Sequence, residues 1–329
     1  MTKYAASMDD VIAASKRIEG HGHRTPILTN KTIDDLTGKK IFFKCENFQK
    51  IGAFKFRGGW NTISSLSEEE ASNGVCTHSS GNHAQAVALS ASLLNMEATI
   101  IMPYDAPKNK IAATKSYGGN IIFYDRYSED RVSIATEFQT KTGAHIIPPY
   151  DHKHVIAGQG TAGKELLEEL IETNGTVLDY LFVCVGGGGL ISGCALAAGE
   201  LAPNAKVIGV EPEAGNDAQQ SLETGKIVTI ATPKTIADGA QTPFLGKLTF
   251  AIMKERVDKI ITVSDEELVE GMRFFGERMK IIVEPTGCLG LAGLRKLVKS
   301  GEIPPGSNCG VIISGGNVDM ARYCKLLSE

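Results

Sequence analysis

The 329-residue sequence contains no Cys-x-x-Cys pair, no excess of basic residues, no low-complexity tract and no fixed-period repeat. Each absence excludes a class. The seven cysteines (Cys45, Cys76, Cys184, Cys194, Cys288, Cys309 and Cys324) are odd in number and widely spaced, which fits neither a disulfide framework nor a structural zinc site. That usage suits a reducing compartment, so a cytoplasmic location is expected. Lysine and arginine total 34 against 38 acidic residues, a net charge of −4, so no nucleic-acid partner is expected. The first ten residues, MTKYAASMDD, lack an apolar h-region, and no signal peptide is expected. Glycine is abundant, at 36 residues, but follows no Gly-X-Y period. With 42% hydrophobic and 22% charged residues, the chain is globular rather than collagenous or disordered.

One uncharged stretch, Tyr180 to Gly199, is long enough to span a bilayer. Gly186 to Gly189 interrupt it, and each glycine costs a helix interior about 1 kcal/mol relative to alanine. The first half is a short apolar run and the second is rich in Ala, Leu and Ile. The segment therefore reads as strand, glycine loop and helix, and no membrane partner is expected.

The same alternation runs through the chain. Strands are predicted at 41–44, 98–102, 120–124, 181–185, 206–210, 259–263 and 310–314. Helices are predicted at 8–19, 57–66, 83–95, 107–117, 128–140, 160–173, 190–200, 265–279 and 287–299. Apolar strands separated by helices predict an α/β fold with mostly parallel sheets covered on both faces. Residues 74–150 read as a self-contained sheet, giving a small domain inserted into a large one made of 1–73 and 151–329. PPYDHKHV, 148–155, reads as the linker.

Several segments carry chemistry. GGGGL, 186–190, places backbone N–H groups at a helix N-terminus, where a phosphate is held. GAFKFRGG, 52–59, sets Lys55 between two phenylalanines; partial desolvation lowers an amine's pKa and frees it for Schiff-base chemistry, although a snorkelling surface lysine has the same pattern. THSSGNHAQ, 77–85, suits either a carboxylate site or a plain N-cap turn, and ISGGN, 313–317, repeats the idea at the last strand. GQGTAG, 158–163, matches a dinucleotide fingerprint, but Asp179 precedes the next strand instead of ending it. The same segment fails as a P-loop because Glu165 stands where a hydroxyl must meet Mg²⁺, so it is expected to be a helix start of small residues. The pairs His21/His23 and His152/His154 have no third ligand nearby and read as solvated. Glu211, Glu213 and Asp217 crowd VEPEAGND; spacing alone leaves open a solvated acidic loop or a hard-cation site.

In order, GAFKFRGG, SSGNHAQA, VGGGGLISG, GVEPEAGND, IADGAQ, VEPTGCLG and ISGGNVD closely resemble the serine/threonine dehydratase and serine racemase family, pyridoxal-phosphate (PLP) enzymes of the tryptophan-synthase-β fold type. The resemblance runs from about Thr25 to the C-terminal end and is strongest to eukaryotic-type serine racemases and 3-hydroxyaspartate dehydratases. It implies fold type II, with two open twisted sheets and PLP in the interdomain cleft. By the same resemblance Lys55 holds PLP as a Schiff base, Phe54 packs near the ring and Asn82 bonds the ring hydroxyl. Gly186, Gly187, Gly188, Gly189 and Leu190 take the phosphate, and Ser314 meets the pyridine nitrogen. Ser79, Ser80, Asn82 and His83 receive the substrate carboxylate. Glu211, Gly215 through its carbonyl, and Asp217 coordinate a divalent cation, Mg²⁺ first, with Mn²⁺ or Ca²⁺ as alternatives.

The implied activity is β-elimination of 3-hydroxyaspartate, L-serine or L-threonine to an α-keto acid and ammonia. The alternative is serine racemisation, with Ser80 returning a proton from the face opposite Lys55. A silent PLP-binding protein is the third reading, and the retained Lys55 argues against it. Resemblance also implies a homodimer. Lys50, Gln85, Tyr117, Lys280 and Asn317 lie where racemase-like members bind ATP, but Tyr150 replaces an expected Asn, which argues against nucleotide activation. Isoleucine feedback is not expected, because the sequence ends about a dozen residues after ISGGN. For a β-carboxylate the candidate partners are His83, His152 and Arg126.

Overall fold

The computed structural model describes residues 4–328. Ten strands form two sheets. They are β1 (Ile27–Leu28), β2 (Lys40–Cys45), β3 (Val75–His78), β4 (Ala98–Pro103), β5 (Gly119–Tyr124), β6 (His145–Ile146), β7 (Tyr180–Cys184), β8 (Lys206–Pro212), β9 (Lys259–Val263) and β10 (Asn308–Ile313). One sheet has the order β1-β2-β10-β7-β8-β9 and the other β5-β4-β3-β6. Every pairing is parallel except β1 with β2. We propose that the sheets are the cores of a small domain, 74–150, and a large one on either side of it in sequence.

The central strands are continuous apolar runs, as sheets covered on both faces require. Tyr180–Cys184 is buried at every position, and Ile41, Phe43, Phe182, Val311 and Ile312 are fully buried. Each predicted strand is present to within two residues at either end. The two-residue strands β1 and β6 are too short to show a period.

The 158–163 segment is a correction. It lies inside a 22-residue helix, Lys153–Asn174, and does not start it. Its glycines let this helix touch two others. A Cβ added at Gly158 would lie 2.6 Å from the Arg57 carbonyl oxygen, and one at Gly160 would lie 2.8 Å from that of Gly193. Gly193, in the helix Gly189–Leu201, leaves no more room: an added Cβ would stand 2.3 Å from the Ile156 carbonyl oxygen.

Because that obstacle is backbone, Gly193→Ala forces the helices apart and should cost about 3 kcal/mol. Gly38, at φ +66° with nothing within 4 Å of an added Cβ, should lose only about 1 kcal/mol as alanine. Urea unfolding of both variants checks this; equal losses would contradict the close helix approach.

Candidate active site

Parallel strands bring their carboxyl ends to one edge of each sheet, where ligand sites of open α/β folds lie. Here β3 ends into Ser79, β7 into the glycine loop and β10 into Ser314. An isolated bridge joins Ala53 to Gly315, and Phe54 N–H donates to the Ser314 carbonyl at 3.0 Å. Those contacts set Lys55, the first residue of the helix Lys55–Ile63, beside Ser314.

A cavity of about 720 Å³ lies between the two sheets' units, and its walls include Phe54, Lys55, Ser79, Ser80, Asn82 and His83. The same cavity is lined by Gly186 to Leu190 and by Ser314. The structure thus brings every residue expected at the cofactor and carboxylate into one space. Glu211, Gly215 and Asp217 lie outside it.

Two helix N-termini open on this cavity without side-chain caps. The helix Asn82–Leu93 follows Gly81, and Gly189–Leu201 follows Gly188 at φ +89°. Three helices elsewhere start on capping boxes, at Ser7, Ser67 and Ser264, while others, such as Lys153–Asn174, are uncapped as these two are. An uncapped first turn leaves N–H groups for an anion. Gly187 can be nothing larger, since an added Cβ would lie 2.3 Å from the ring of Tyr150.

Lys55 donates to the Pro149 carbonyl at 2.6 Å and sits 5.1 Å from the centre of the Phe54 ring. No carboxylate pairs with it among the described residues. Burial pulls its amine down to about 8, only slightly opposed by Cys184. Asn82 is oriented from both ends: its amide donates to Glu284 Oε1 at 2.8 Å and its oxygen accepts from Asn317 at 2.9 Å. Glu284, to which the sequence reading gave no role, lines the cavity with Oε2 unpartnered. Burial, then the charge of Asp238, pushes its carboxyl up to about 8. Ser314 Oγ is likewise buried without a partner.

The ring of His83 acts differently from the carboxylate donor expected. Its Nε2 lies 3.0 Å from the Ile147 carbonyl, which can only accept, so Nε2 carries the hydrogen. Burial, then the Lys55 charge, holds the ring near 3 and therefore neutral. Only the main-chain N–H of His83 remains to meet a carboxylate. Of the two histidine pairs, His21 and His23 are exposed as expected, whereas His152 and His154 are half-buried, their rings 5.5 Å apart, and burial lowers His152 to about 4.

The cavity's remaining cations are mostly engaged. Lys110 pairs with Asp238 across the cleft, Arg126 with Asp105 at 2.7 Å, and Arg322 donates to the Ile236 carbonyl. Arg131 lines the wall with no ion pair or side-chain hydrogen bond among the described residues. Outside the cavity, Glu211 and Asp217 are buried, and no lysine or arginine pairs with either among the described residues. Glu211 accepts from the N–H groups of Ala218 and Gln219, whereas Asp217 Oδ2 has no partner. Burial, then the Asp217 charge, lifts Glu211 to about 8. No group of three metal-ligating side chains occurs among the described residues.

A family model described as "Pyridoxal-phosphate dependent enzyme" matches residues 18–315. The chain belongs to that family. It is 59% identical over 319 residues to an L-threo-3-hydroxyaspartate ammonia-lyase of Saccharomyces cerevisiae, covering 97% of this chain and 95% of that one. It is 58% identical over 321 residues to a serine racemase of Schizosaccharomyces pombe, covering 98% and 97%. The solved structure of maize serine racemase superposes with a TM-score of 0.93 at 43% identity, over 99% of this chain and 98% of that one. The fold is accordingly that of fold type II PLP enzymes.

A family member needs a neutral amine to capture its cofactor. With Lys55 near 8, the rate at which cofactor-free protein binds PLP should rise with pH and level off just above pH 8. Stopped-flow absorbance reads that rate. A rise continuing to pH 10, as for an ordinary lysine, would contradict the desolvated amine.

Proposed function

We propose that this enzyme carries out β-elimination on hydroxy-amino acids, 3-hydroxyaspartate and serine foremost, releasing an α-keto acid and ammonia. The observation that carries the reading is a half-buried lysine with no carboxylate partner among the described residues, sharing one cavity with two uncapped helix N-termini. The residues present fit PLP: the glycine loop and the turn at Gly189 suit its phosphate, Ser314 Oγ has a free valence for a ring nitrogen, and Asn82 has a second N–H for a ring hydroxyl. When bound, the cofactor supplies a sink for the electrons released at the substrate α-carbon.

The chain's own groups do the rest. The N–H groups at Asn82 and His83, with the hydroxyls of Ser79 and Ser80, orient the α-carboxylate. Lys55 Nζ, brought down to about 8 by burial and so more readily neutral than an ordinary lysine, removes the α-proton. Ser314 would offer the ring nitrogen a neutral hydroxyl where a carboxylate would favour its charged form, which would weaken the electron sink and favour loss of the β-hydroxyl as water. Arg131 is the cation left for a β-carboxylate, which replaces His83, His152 and Arg126 in that role. Ser80 stands on the small-domain wall and Lys55 on the large-domain wall. A proton returned by Ser80 gives the opposite enantiomer, the racemisation suggested by the serine racemase relatives.

The buried pair Glu211 and Asp217 fits a divalent cation, completed by the Gly215 carbonyl and water, since Asp217 Oδ2 has no other partner. The resemblance adds a homodimer; ATP activation is not part of the reading.

Three outcomes test these roles. Ser80→Ala should abolish D-serine formation and keep part of the elimination from L-serine; undiminished D-serine formation removes Ser80 from that role. Arg131→Gln should raise KM for L-threo-3-hydroxyaspartate about tenfold to a hundredfold and leave that for L-serine nearly unchanged. Equal changes for both substrates would reject it. Mg²⁺, Mn²⁺ or Ca²⁺ should raise the melting temperature of the wild type but not of Asp217→Asn; no rise with any of the three contradicts the cation site.

A further inference from the structure

Two residues beyond Lys55, Arg57 is the largest fully buried side chain of the protein. All five of its N–H donors are engaged. Nε and Nη2 reach the two oxygens of Glu46 at 2.7 and 2.8 Å. Nη1 and Nη2 reach those of Glu165 at 2.7 and 2.8 Å, and Nη1 also donates to Thr161 Oγ1 at 3.1 Å. Lys44 completes the group, 2.7 Å from Glu165 Oε2 and 2.7 Å from the Thr25 carbonyl. Two cations and two carboxylates leave no net charge in the core.

Such a quartet is a poor source of stability, because desolvation offsets most of the attraction. What it contributes is geometry. A guanidinium fork accepts two carboxylates only at fixed angles. The partners sit on four separate pieces: β2, the turn at Glu46, the Lys55–Ile63 helix and the Lys153–Asn174 helix. The last of these begins just after the Pro149 segment, whose carbonyl receives the Lys55 amine. Gly58 N–H, donating to Gln159 Oε1 at 3.1 Å, ties the same two helices once more.

We propose that Arg57 is the positioning residue for Lys55: it fixes the register between the helix that carries the amine and the helix that directly follows the Pro149 segment facing it. Two helical residues span only about 3 Å, so a shift at Arg57 is passed to Lys55 almost undiminished. The proposal rests on the reading of Lys55 as the reacting amine.

The test uses PLP-loaded enzyme and three variants. Arg57→Lys keeps the charge and loses the fork. Thr161→Val removes a single acceptor and guards against a variant that does not fold. Leu297→Ala, in the core of the helix Leu289–Lys299, is the stability control. For each, melting temperature, kcat, KM and the pH at which the visible absorbance of the Lys55-linked cofactor changes are measured. The expected result is a kcat lowered about tenfold or more in Arg57→Lys, with KM within about twofold. The spectral transition should move in Arg57→Lys, and Thr161→Val should show the same changes at smaller size. Leu297→Ala should lose melting temperature without either change. If Arg57→Lys does not fold, Thr161→Val decides alone. Variants whose kcat and spectral transition follow only their melting temperature, as the control's do, overturn the proposal. Borohydride reduction and peptide mapping separate the two failures: cofactor on a residue other than Lys55 removes both readings, and cofactor on Lys55 with unmoved kcat and spectrum removes the role of Arg57 alone.

Discussion

The proposed active site depends on one half-buried amine that no carboxylate neutralises among the described residues. An ordinary lysine keeps its proton far above neutral pH, and a paired one keeps it longer. Lys55 has an aromatic face and a carbonyl instead, and burial brings it to about 8. The rest of the cavity is consistent with that constraint. Two uncapped helix N-termini open on the cavity, the buried acid Glu284 in its wall is biased toward the neutral form, and the ring of His83 carries no charge. A carboxylate facing Lys55 would restore the ordinary pKa and close the site to chemistry.

Charge is handled in opposite ways on the two sides of that amine. In front, the cavity's carboxylates Asp105 and Asp238 are paired with other cations, Glu284 is biased toward the neutral form, and no carboxylate pairs with Lys55 among the described residues. Behind, the Arg57 quartet concentrates four charges with no net excess and with each in a fixed direction. In the roles proposed for them, the first arrangement leaves the amine free to react and the second makes its position definite. The Glu211 and Asp217 pair is a third case, two carboxylates buried with no cationic side chain, which is stable only with protons or with a bound cation.

The sheet strands and the cofactor motifs were legible in the sequence because each is local. A buried parallel strand is a continuous apolar run, and a phosphate loop is a glycine run before a helix. What stayed hidden depends on residues far apart in the chain. Glu284 meets Asn82 across 202 positions and Lys110 meets Asp238 across 128, and no spacing rule reports either. Gly158, Gly160 and Gly163 looked like a helix start because glycine is normally a breaker; their use in close helix packing requires knowing which helices touch. The resemblance put His83 at the substrate carboxylate without saying which of its groups, and the ring's tautomer is set by the Ile147 carbonyl, 64 residues away.

The most direct test of the whole account is to supply L-threo-3-hydroxyaspartate and L-serine to the PLP-loaded enzyme and follow α-keto acid and D-serine in the same tubes, with Lys55→Ala alongside. The account predicts oxaloacetate from hydroxyaspartate as the fastest product, slower pyruvate and D-serine from serine, and none of them from Lys55→Ala. Wild-type enzyme with cofactor bound and no keto acid from either substrate would contradict it.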